Sequence, residues 1–213
     1  MKNIYSNIYK NSAKNLNKAK NLLMRNHIVA LPTETVYGLA GNAYKKGAVK
    51  KIFNLKKRPK KNPLIIHYNN LDDLKVDAHI NSIFLKLYYK FSPGPLTYIL
   101  KKKKNSKICT YANANLDTIA VRFPKHKDIK KLMKKINFPL AIPSANISSK
   151  ISPVSAIDVV EEFGNKIKFV LDGGRSKIGL ESTVVKVSNK IKIVRPGLIS
   201  KNDIERFLRK KII

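Results

Sequence analysis

The sequence is poor in cysteine and has no long apolar run. Cys109 is the only cysteine among 213 residues, which excludes an internal disulfide and any metal site built from several cysteines. No apolar run approaches the roughly 20 residues that span a bilayer. The N-terminal stretch MKNIYSNIYKNSAKNLNKAK lacks the apolar core of a signal peptide. These absences predict a protein of the reducing cytoplasm that does not associate with membranes.

Acidic residues are also scarce. The chain has 13 Asp and Glu against 44 Lys and Arg, which gives a formal net charge of +31. A field of this sign favours nucleic acids and nucleotides as partners. The lysines are nevertheless spread over nearly every segment, beside many Asn and Ile, as in the products of a composition-biased genome. We favour this second explanation over a dedicated RNA-binding stripe, and the charge alone does not decide the function.

The usual signatures of nucleotide binding are missing. The sequence has no G-x-x-x-x-G-K-[ST] phosphate loop and no G-x-G-x-x-G turn. If a nucleotide binds, its phosphates must therefore be held by side chains from several loops. Lys56, Arg58 and Arg195 are the candidate cations, because they lie beside prolines at the ends of predicted elements. Arginine in particular suits forked contacts with phosphate oxygens.

The stretch from Leu31 to His67 organises the chain. It begins where a predicted buried strand, 28–31, ends, and polar side chains at 33–35 follow directly. A predicted helix and a basic loop then lead to a second apolar strand, 64–66. Polar residues just past a strand end are where open α/β sheets contact their ligands. The layout predicts a site for an anionic substrate.

Apolar periodicity and turn residues predict the other elements. The predicted helices cover 13–24, 47–55, 80–91, 129–136, 156–163 with Ser155 as N-cap, and a final segment capped by Ser200. The predicted strands cover 97–100, 118–123, 140–142, 167–171, 182–187 and 191–194, the last two joined as a hairpin across Ser188 and Asn189. The lysines at 101–104 are expected to form a solvated turn. We expect a single α/β domain, 1–213, with a twisted, mixed, open sheet and flanking helices.

Eight short motifs follow one another in the order found in a known family. They are PTETVYGLA from Pro32, K-x-R-P from Lys56, NPL from Asn62, PGPLT from Pro93, VR-x-P from Val121, SAN from Ser144, ESTV from Glu181 and RPG from Arg195. By these motifs the chain resembles the YrdC-like family of L-threonylcarbamoyladenylate synthases over about residues 28–197. Each motif is weak alone, and their order makes the resemblance specific. Since the chain ends soon after the last motif, it resembles the single-domain form of the family.

The resemblance implies an α/β fold around a concave, positively charged groove, and it implies a reaction. The family joins L-threonine, bicarbonate or carbon dioxide, and ATP into threonylcarbamoyl-AMP and pyrophosphate. The threonine amine first becomes a carbamate, whose oxygen attacks the α-phosphate, so no enzyme nucleophile is needed. Mg²⁺ is expected to arrive with the triphosphate. The product serves the threonylcarbamoyladenosine modification of tRNA, completed by downstream tRNA threonylcarbamoyl-transferase proteins.

The resemblance also implies the residues of the site, motif by motif. The implied L-threonine contacts are Thr35, His67, Arg122 and Ser182, with Arg122 pairing with the carboxylate. The implied ATP contacts are Lys56, Arg58, Asn62, Thr118, Ser144, Asn146, Ser152 and Arg195. Among them, Lys56, Arg58, Ser144 and Asn146 are the implied catalytic residues, acting by alignment and charge neutralisation. No protein ligand to a metal is implied.

Two other functions stay open at this point. A double-stranded RNA or tRNA-binding module without catalysis would use the net charge of +31, and its binding would weaken steeply with salt. It leaves the polar set of Thr35, His67 and Ser182 unexplained. A carbamoyl-transfer domain of the kind found in hydrogenase-maturation proteins shares the fold, but accessory zinc-finger and acylphosphatase segments are absent from this sequence. We therefore expect the synthase.

Overall fold

The apolar runs of the sequence form a mixed β-sheet in the computed structural model, which describes residues 3–188 and 190–213. Within these residues the strands are β1 (Ile8–Lys10), β2 (Val29–Leu31), β3 (Gly38–Asn42), β4 (Ile65–His67), β5 (Leu96–Lys101), β6 (Thr118–Arg122), β7 (Leu140–Ala141), β8 (Val170–Asp172), β9 (Thr183–Val187) and β10 (Ile191–Arg195). They lie in the order β1-β8-β2-β3-β7-β4-β6-β5-β9-β10. The pairs β1–β8, β8–β2, β4–β6 and β5–β9 are parallel, and the other pairs are antiparallel.

Helices flank this sheet. In the described part of the chain they are α1 (Ala13–Met24), α2 (Lys46–Lys56), α3 (Leu71–Lys75), α4 (Ser82–Phe91), α5 (Lys127–Met133), α6 (Ala156–Phe163) and α7 (Lys201–Leu208), with short 3-10 helices at Ile4–Asn7 and Gly164–Lys166. The predicted N-caps Ser155 and Ser200 are confirmed, since each forms a capping box with the aspartate three residues later. None of the helices in the described residues is long and apolar enough to cross a membrane. The expected α/β class with a mixed sheet and flanking helices is confirmed.

The two halves of the sheet are packed differently. Alternate residues of a strand point to opposite faces, and in β2 they enter two cores. Val29 and Leu31 pack with α1 and α5, whereas Ala30 packs with α6. In the other half, Val121 of β6 and Tyr98 of β5 enter a core with α4. Their alternate neighbours lie on the opposite face, where the candidate site is found.

Two predicted elements have other bounds in the structure: α5 covers Lys127–Met133 where we expect 129–136, and β8 covers Val170–Asp172 where we expect 167–171. Two strands and one α-helix are missing from the sequence prediction. β3 lies in the stretch that we expect from sequence to be a polar loop before α2. Its sequence, GLAGN, has low strand propensity, and pairing with β2 on one side and β7 on the other holds it in the sheet. β1 and α3 are absent from the prediction as well. β1 is a three-residue strand whose partner, β8, is distant in sequence, so no local pattern indicates it.

Two smaller expectations have mixed outcomes. The lysine run at 101–104 begins inside β5, because Lys101 pairs with Thr118 of β6. The expectation of a solvated turn is therefore wrong for Lys101. The predicted β9–β10 pairing is confirmed as antiparallel. Its predicted turn residue Asn189 lies outside the described residues.

Candidate active site

A cavity opens on the sheet face opposite α4. The strand register places polar side chains beside it. His67 of β4 pairs with Arg122 of β6, and Arg122 pairs with Thr97 of β5. Directly paired residues point to the same face of a sheet, so the three side chains form one row. They are 1%, 4% and 0% exposed, respectively, and a row of buried polar groups beside a cavity suits a small-molecule ligand.

The loop after β2 presents a hydroxyl oxygen to this cavity. Thr33 Oγ1 lies 2.6 Å from the carbonyl oxygen of Val36 and 2.8 Å from Thr35 Oγ1. A carbonyl oxygen cannot donate, so the single hydroxyl proton of Thr33 goes to Val36. Thr35 must then donate its own proton to Thr33. The lone pairs of Thr35 Oγ1 are left to accept a hydrogen bond from a ligand.

Arg122 is held by a buried carboxylate. Its Nη2 lies 2.7 Å from Glu34 Oε1, and its Nε donates to the carbonyl of Gly94 at 3.2 Å. Glu34 also accepts a hydrogen bond from the backbone N–H of Lys125 at 3.1 Å. Burial raises the pKa of Glu34, but the charge and hydrogen bond of Arg122 and the backbone N–H groups outweigh it, and the pKa is lowered overall. The pair is therefore ionised at neutral pH.

His67 lies in the row without a hydrogen-bond partner. Among the described residues, nothing bonds to either of its ring nitrogens. Burial, and then the positive charge of Arg122, hold the pKa of His67 well below its ordinary value. The ring is therefore neutral at physiological pH. A buried polar group without a partner is costly, so His67 is suited to a hydrogen bond with a ligand in the cavity.

Lys56, at the end of α2, supports the loop that contains the SAN motif. Its Nζ donates to the backbone carbonyls of Ser144 and Asn146, both at 2.6 Å. The side chain is 1% exposed, and Ser148 N donates back to the Lys56 carbonyl at 2.9 Å. Burial lowers the pKa of Lys56 to about 7, with a further decrease from Arg58 and a smaller opposing effect from Glu162. Lys56 thus acts on the wall of the cavity and does not line the cavity itself.

Arg58 follows α2 and lines the cavity. Its Nε donates to the carbonyl of Asn62 at 3.0 Å, and its Nη2 donates to the carbonyl of Pro63 at 2.9 Å. Both acceptors belong to the turn that leads into β4, so the NPL motif fixes the guanidinium group through its backbone. Burial lowers the pKa of Arg58, but an arginine stays charged at neutral pH.

A third arginine, Arg195 at the end of β10, is hydrogen-bonded to the loop before β9. Arg195 donates to the carboxylate of Glu181 from Nη1 and to the carbonyl of Ser182 from Nη2 at 2.8 Å. Ser152 Oγ donates to the other oxygen of Glu181 at 3.1 Å. Burial lowers the pKa of Arg195 to about 10, helped by the charges of Arg122 and Arg58. Three guanidinium groups therefore act on one another electrostatically around one cavity, which favours an anionic ligand.

Two glycines allow the walls of the cavity to approach closely. A Cβ on Gly38 would lie 2.3 Å from Ile142 Cγ2, where β3 passes the strand that leads into the SAN motif. A Cβ on Gly197 would lie 2.4 Å from Thr183 N and 2.6 Å from the carbonyl oxygen of Glu181. The second contact explains the glycine of the RPG motif, because it lets that loop lie directly beneath the ESTV motif.

The structure brings most of the implied site residues to this cavity. All four implied threonine contacts line it, namely Thr35, His67, Arg122 and Ser182. Three of the implied ATP contacts also line it, namely Arg58, Ser144 and Arg195. Their assignment to one ligand or the other stays a prediction.

The five other implied ATP contacts do not line the cavity. Asn146 donates from its side-chain amide to the carbonyls of Ile147 and Lys150 within its own loop, and Lys56 lies behind that loop. Asn62 is exposed and contributes its carbonyl to Arg58, while Ser152 bonds to Glu181. Thr118 begins β6 and, by alternation, shares a sheet face with Arg122 at the opposite end of the strand.

Sequence reasoning missed two residues that hold the arginines of the site. Glu34 and Glu181 lie inside quoted motifs, but nothing local shows that they pair with Arg122 and Arg195. The sheet brings each pair together from separate segments. The one sequence signal for these pairs is the presence of an acidic residue in a motif whose other polar residues carry hydroxyl groups or positive charge.

The site provides little for a metal ion by itself. Glu181 is the one carboxylate among the residues that line the cavity. In the described ranges, 3–188 and 190–213, no group of three or more His, Cys, Asp or Glu side chains could hold a metal ion.

The chain is similar to proteins of a known family. The sequence profile Sua5_yciO_yrdC, described as "Telomere recombination", matches residues 21–197. The chain is 43% identical over 192 residues to the threonylcarbamoyl-AMP synthase of Pyrococcus abyssi, covering 89% of this chain and 56% of that protein. It is 42% identical over 192 residues to the threonylcarbamoyl-AMP synthase of Bacillus subtilis, covering 88% and 55%. The chain thus spans little more than half the length of these relatives.

A solved structure shares the fold. The crystal structure of P. abyssi Sua5 complexed with L-threonine matches with a TM-score of 0.90 and 40% sequence identity, over 97% of this chain and 61% of that chain. A likeness of this degree extends over the sheet, the helices and the loops around the cavity.

Proposed function

Because the chain belongs to the Sua5/YciO/YrdC family, we propose that it is an L-threonylcarbamoyladenylate synthase. The proposed reaction joins L-threonine, bicarbonate or carbon dioxide, and ATP into threonylcarbamoyl-AMP and pyrophosphate. One observation carries the proposal: a single cavity collects residues from both implied contact sets. These residues are Thr35, His67, Arg122 and Ser182 for the amino acid, and Arg58, Ser144 and Arg195 for the nucleotide.

The amino-acid end of the cavity matches the groups of L-threonine. Arg122 pairs with the carboxylate, a charge-assisted contact in a buried setting. Thr35 Oγ1 has lone pairs available and accepts a hydrogen bond from the nitrogen of the substrate. His67 is neutral, so it bonds to the substrate without adding a second positive charge beside Arg122. Ser182, which shares a hydrogen bond of 2.7 Å with Thr97, completes this end.

The chemistry requires no protein nucleophile. The amine of L-threonine forms a bond to the carbon of carbon dioxide and loses a proton, or forms it with bicarbonate and releases water, and either route gives a carbamate. A carbamate oxygen forms a bond to the α-phosphorus of ATP as the bond to the β-phosphate breaks, and pyrophosphate leaves. Arg58 and Arg195 neutralise the charge that develops on the phosphates, and the Ser144 hydroxyl donates to a phosphate oxygen. Alignment of two bound substrates and fixed positive charge supply the acceleration.

Three parts of the proposal concern molecules outside the chain. Mg²⁺ arrives with ATP and neutralises phosphate charge when bound. The product is a mixed anhydride, which downstream tRNA threonylcarbamoyl-transferase proteins consume in the cytoplasm. The proposal includes contact with tRNA at the positively charged groove that the resemblance implies, where the net charge of +31 would add long-range attraction.

Pyrophosphate release tests the proposal. The protein is incubated with ATP, Mg²⁺ and bicarbonate, with and without L-threonine, and the products are analysed by mass spectrometry. We expect release only when both bicarbonate and L-threonine are present, together with the mass of threonylcarbamoyl-AMP. No release in any mixture, combined with tight and salt-sensitive binding of double-stranded RNA, would favour the RNA-binding module instead.

A further inference from the structure

We propose that Glu34 is a positioning residue that fixes Arg122 for the carboxylate of the amino-acid substrate. The inference rests on the proposed function, and it adds a residue to which the resemblance assigns no role. Glu34 Oε1 lies 2.7 Å from Arg122 Nη2, and the two residues are 8% and 4% exposed. The two side chains therefore form a buried ion pair at the edge of the cavity.

The donor count of Arg122 shows what the pair achieves. A guanidinium group has five N–H donors in a rigid plane. Within the described residues, Nε donates to the carbonyl of Gly94 and Nη2 donates to Glu34. Contacts at these two positions fix both the location and the plane of the group. The N–H donors that are left can meet a carboxylate in the forked geometry that arginine favours.

Glu34 is itself fixed by the backbone. Its Oε2 accepts from Lys125 N at 3.1 Å, and its carbonyl accepts from Ile178 N at 3.1 Å. These contacts come from two segments that are distant in sequence, one after β6 and one after β8. Glu34 therefore transmits a fixed position from the protein frame to Arg122 and does not follow the arginine passively.

Because Glu34 is negatively charged, the direction in which its neutralisation changes substrate affinity tests the inference. The carboxylate of Glu34 repels the carboxylate of a bound substrate. It also orients Arg122, which attracts the substrate, and the net effect on binding depends on which of the two is larger. If positioning dominates, neutralising Glu34 weakens substrate binding. If repulsion dominates, the same change tightens it. The two mechanisms predict opposite directions.

The experiment compares Glu34→Gln with the wild-type protein in the pyrophosphate assay and in L-threonine binding by calorimetry. Glu205→Gln is the matched control, because Glu205 is 9% exposed and also accepts a backbone N–H, from Ile212, beside a lysine. We expect Glu34→Gln to raise the KM for L-threonine by about tenfold or more, while kcat and the KM for ATP change less than about threefold. Glu205→Gln should leave all three unchanged.

Several results would overturn the inference. An unchanged or lower KM for L-threonine in Glu34→Gln would do so, as would an equal loss for both substrates. If that variant does not fold, Glu34→Asp carries the test, because it keeps the charge and shortens the reach by one methylene. It should raise the KM for L-threonine, and no rise would overturn the inference. If the wild-type protein turns over and the Glu34 variant behaves like it, only the proposed role of Glu34 is refuted. If the wild-type protein shows neither turnover nor L-threonine binding, the proposed function is refuted as well.

Discussion

Lys56 Nζ lies 2.6 Å from the backbone carbonyl oxygens of both Ser144 and Asn146. A lysine of the K-x-R-P motif thus ties the SAN motif to the end of α2. The resemblance implies that Lys56 contacts ATP. The structure adds a second role, which is to hold the loop that carries the implied phosphate contact Ser144.

Replacing Lys56 with methionine should impair the use of ATP. The apolar side chain keeps most of the volume but leaves the buried carbonyl of Asn146 and the partly buried carbonyl of Ser144 without this donor, and a buried unsatisfied group costs about 1–3 kcal/mol. We expect the loop to relax and the KM for ATP to rise about tenfold or more. Lys51→Met is the matched control, because Lys51 lies in the same helix and donates to the carbonyl of Asn26 from an exposed position. An unchanged KM for ATP in Lys56→Met would contradict the role of this contact.

Lys56 should also give the protein a pH-dependent stability. Its pKa is about 7 in the folded protein against an ordinary value of 10.5. Between these values the unfolded chain binds more protons, so the free energy of unfolding rises with pH, by at most about 1.4 kcal/mol per pH unit. We expect the stability of the wild type relative to Lys56→Met to rise from pH 7 to pH 10 and to be constant below that range. Urea unfolding of both proteins at several pH values measures this difference, and a flat difference would show that the pKa is not lowered.

The sequence predicts most of the longer helices well, for a physical reason. α1 and α6 have a clear apolar side and a serine cap, so their predicted bounds match the structure. β3 escapes prediction because its residues, Gly38–Asn42, are small and have low strand propensity. Its neighbours in the sheet impose the extended conformation, and no local pattern records their influence.

The same distinction between local and long-range signals applies to the residues of the candidate site. Motif order identifies residues that line the cavity, such as Thr35 and Arg122. The partners that hold them are harder to predict, because the pairs Glu34–Arg122 and Lys56–Ser144 join segments far apart in the chain. Such a pairing depends on sheet register and helix placement, which only the folded structure shows.

Truncating polar side chains at each end of the cavity to alanine should separate the effects on the two substrates. Arg122→Ala should raise the KM for L-threonine more than the KM for ATP, because it removes the proposed partner of the carboxylate. Arg58→Ala and Ser144→Ala should do the reverse, each by about tenfold or more for ATP. Kinetics are measured with one substrate varied and the other saturating. The opposite pattern would mean that the two ends of the cavity are exchanged.

Gly197 should be intolerant of a single methyl group, although it is remote in sequence from most of the site. In Gly197→Ala the new Cβ meets Thr183 N at 2.4 Å and Glu181 O at 2.6 Å. Both are backbone atoms that cannot rotate away, so the loop before β9 must shift, at a cost of about 1–3 kcal/mol. The shift would move Ser182 and its contact with Arg195. We therefore expect a lower free energy of unfolding and a higher KM for both substrates.

Gly47→Ala is the control for this change. Gly47 lies in the first turn of α2, and a Cβ there meets nothing within 4 Å. Alanine is the better helix former, so this variant should be more stable by up to about 1 kcal/mol and kinetically unchanged. Urea unfolding and pyrophosphate release on both variants test the pair. If Gly197→Ala is as stable and active as Gly47→Ala, the close approach of the RPG loop to the ESTV motif is not required for the site.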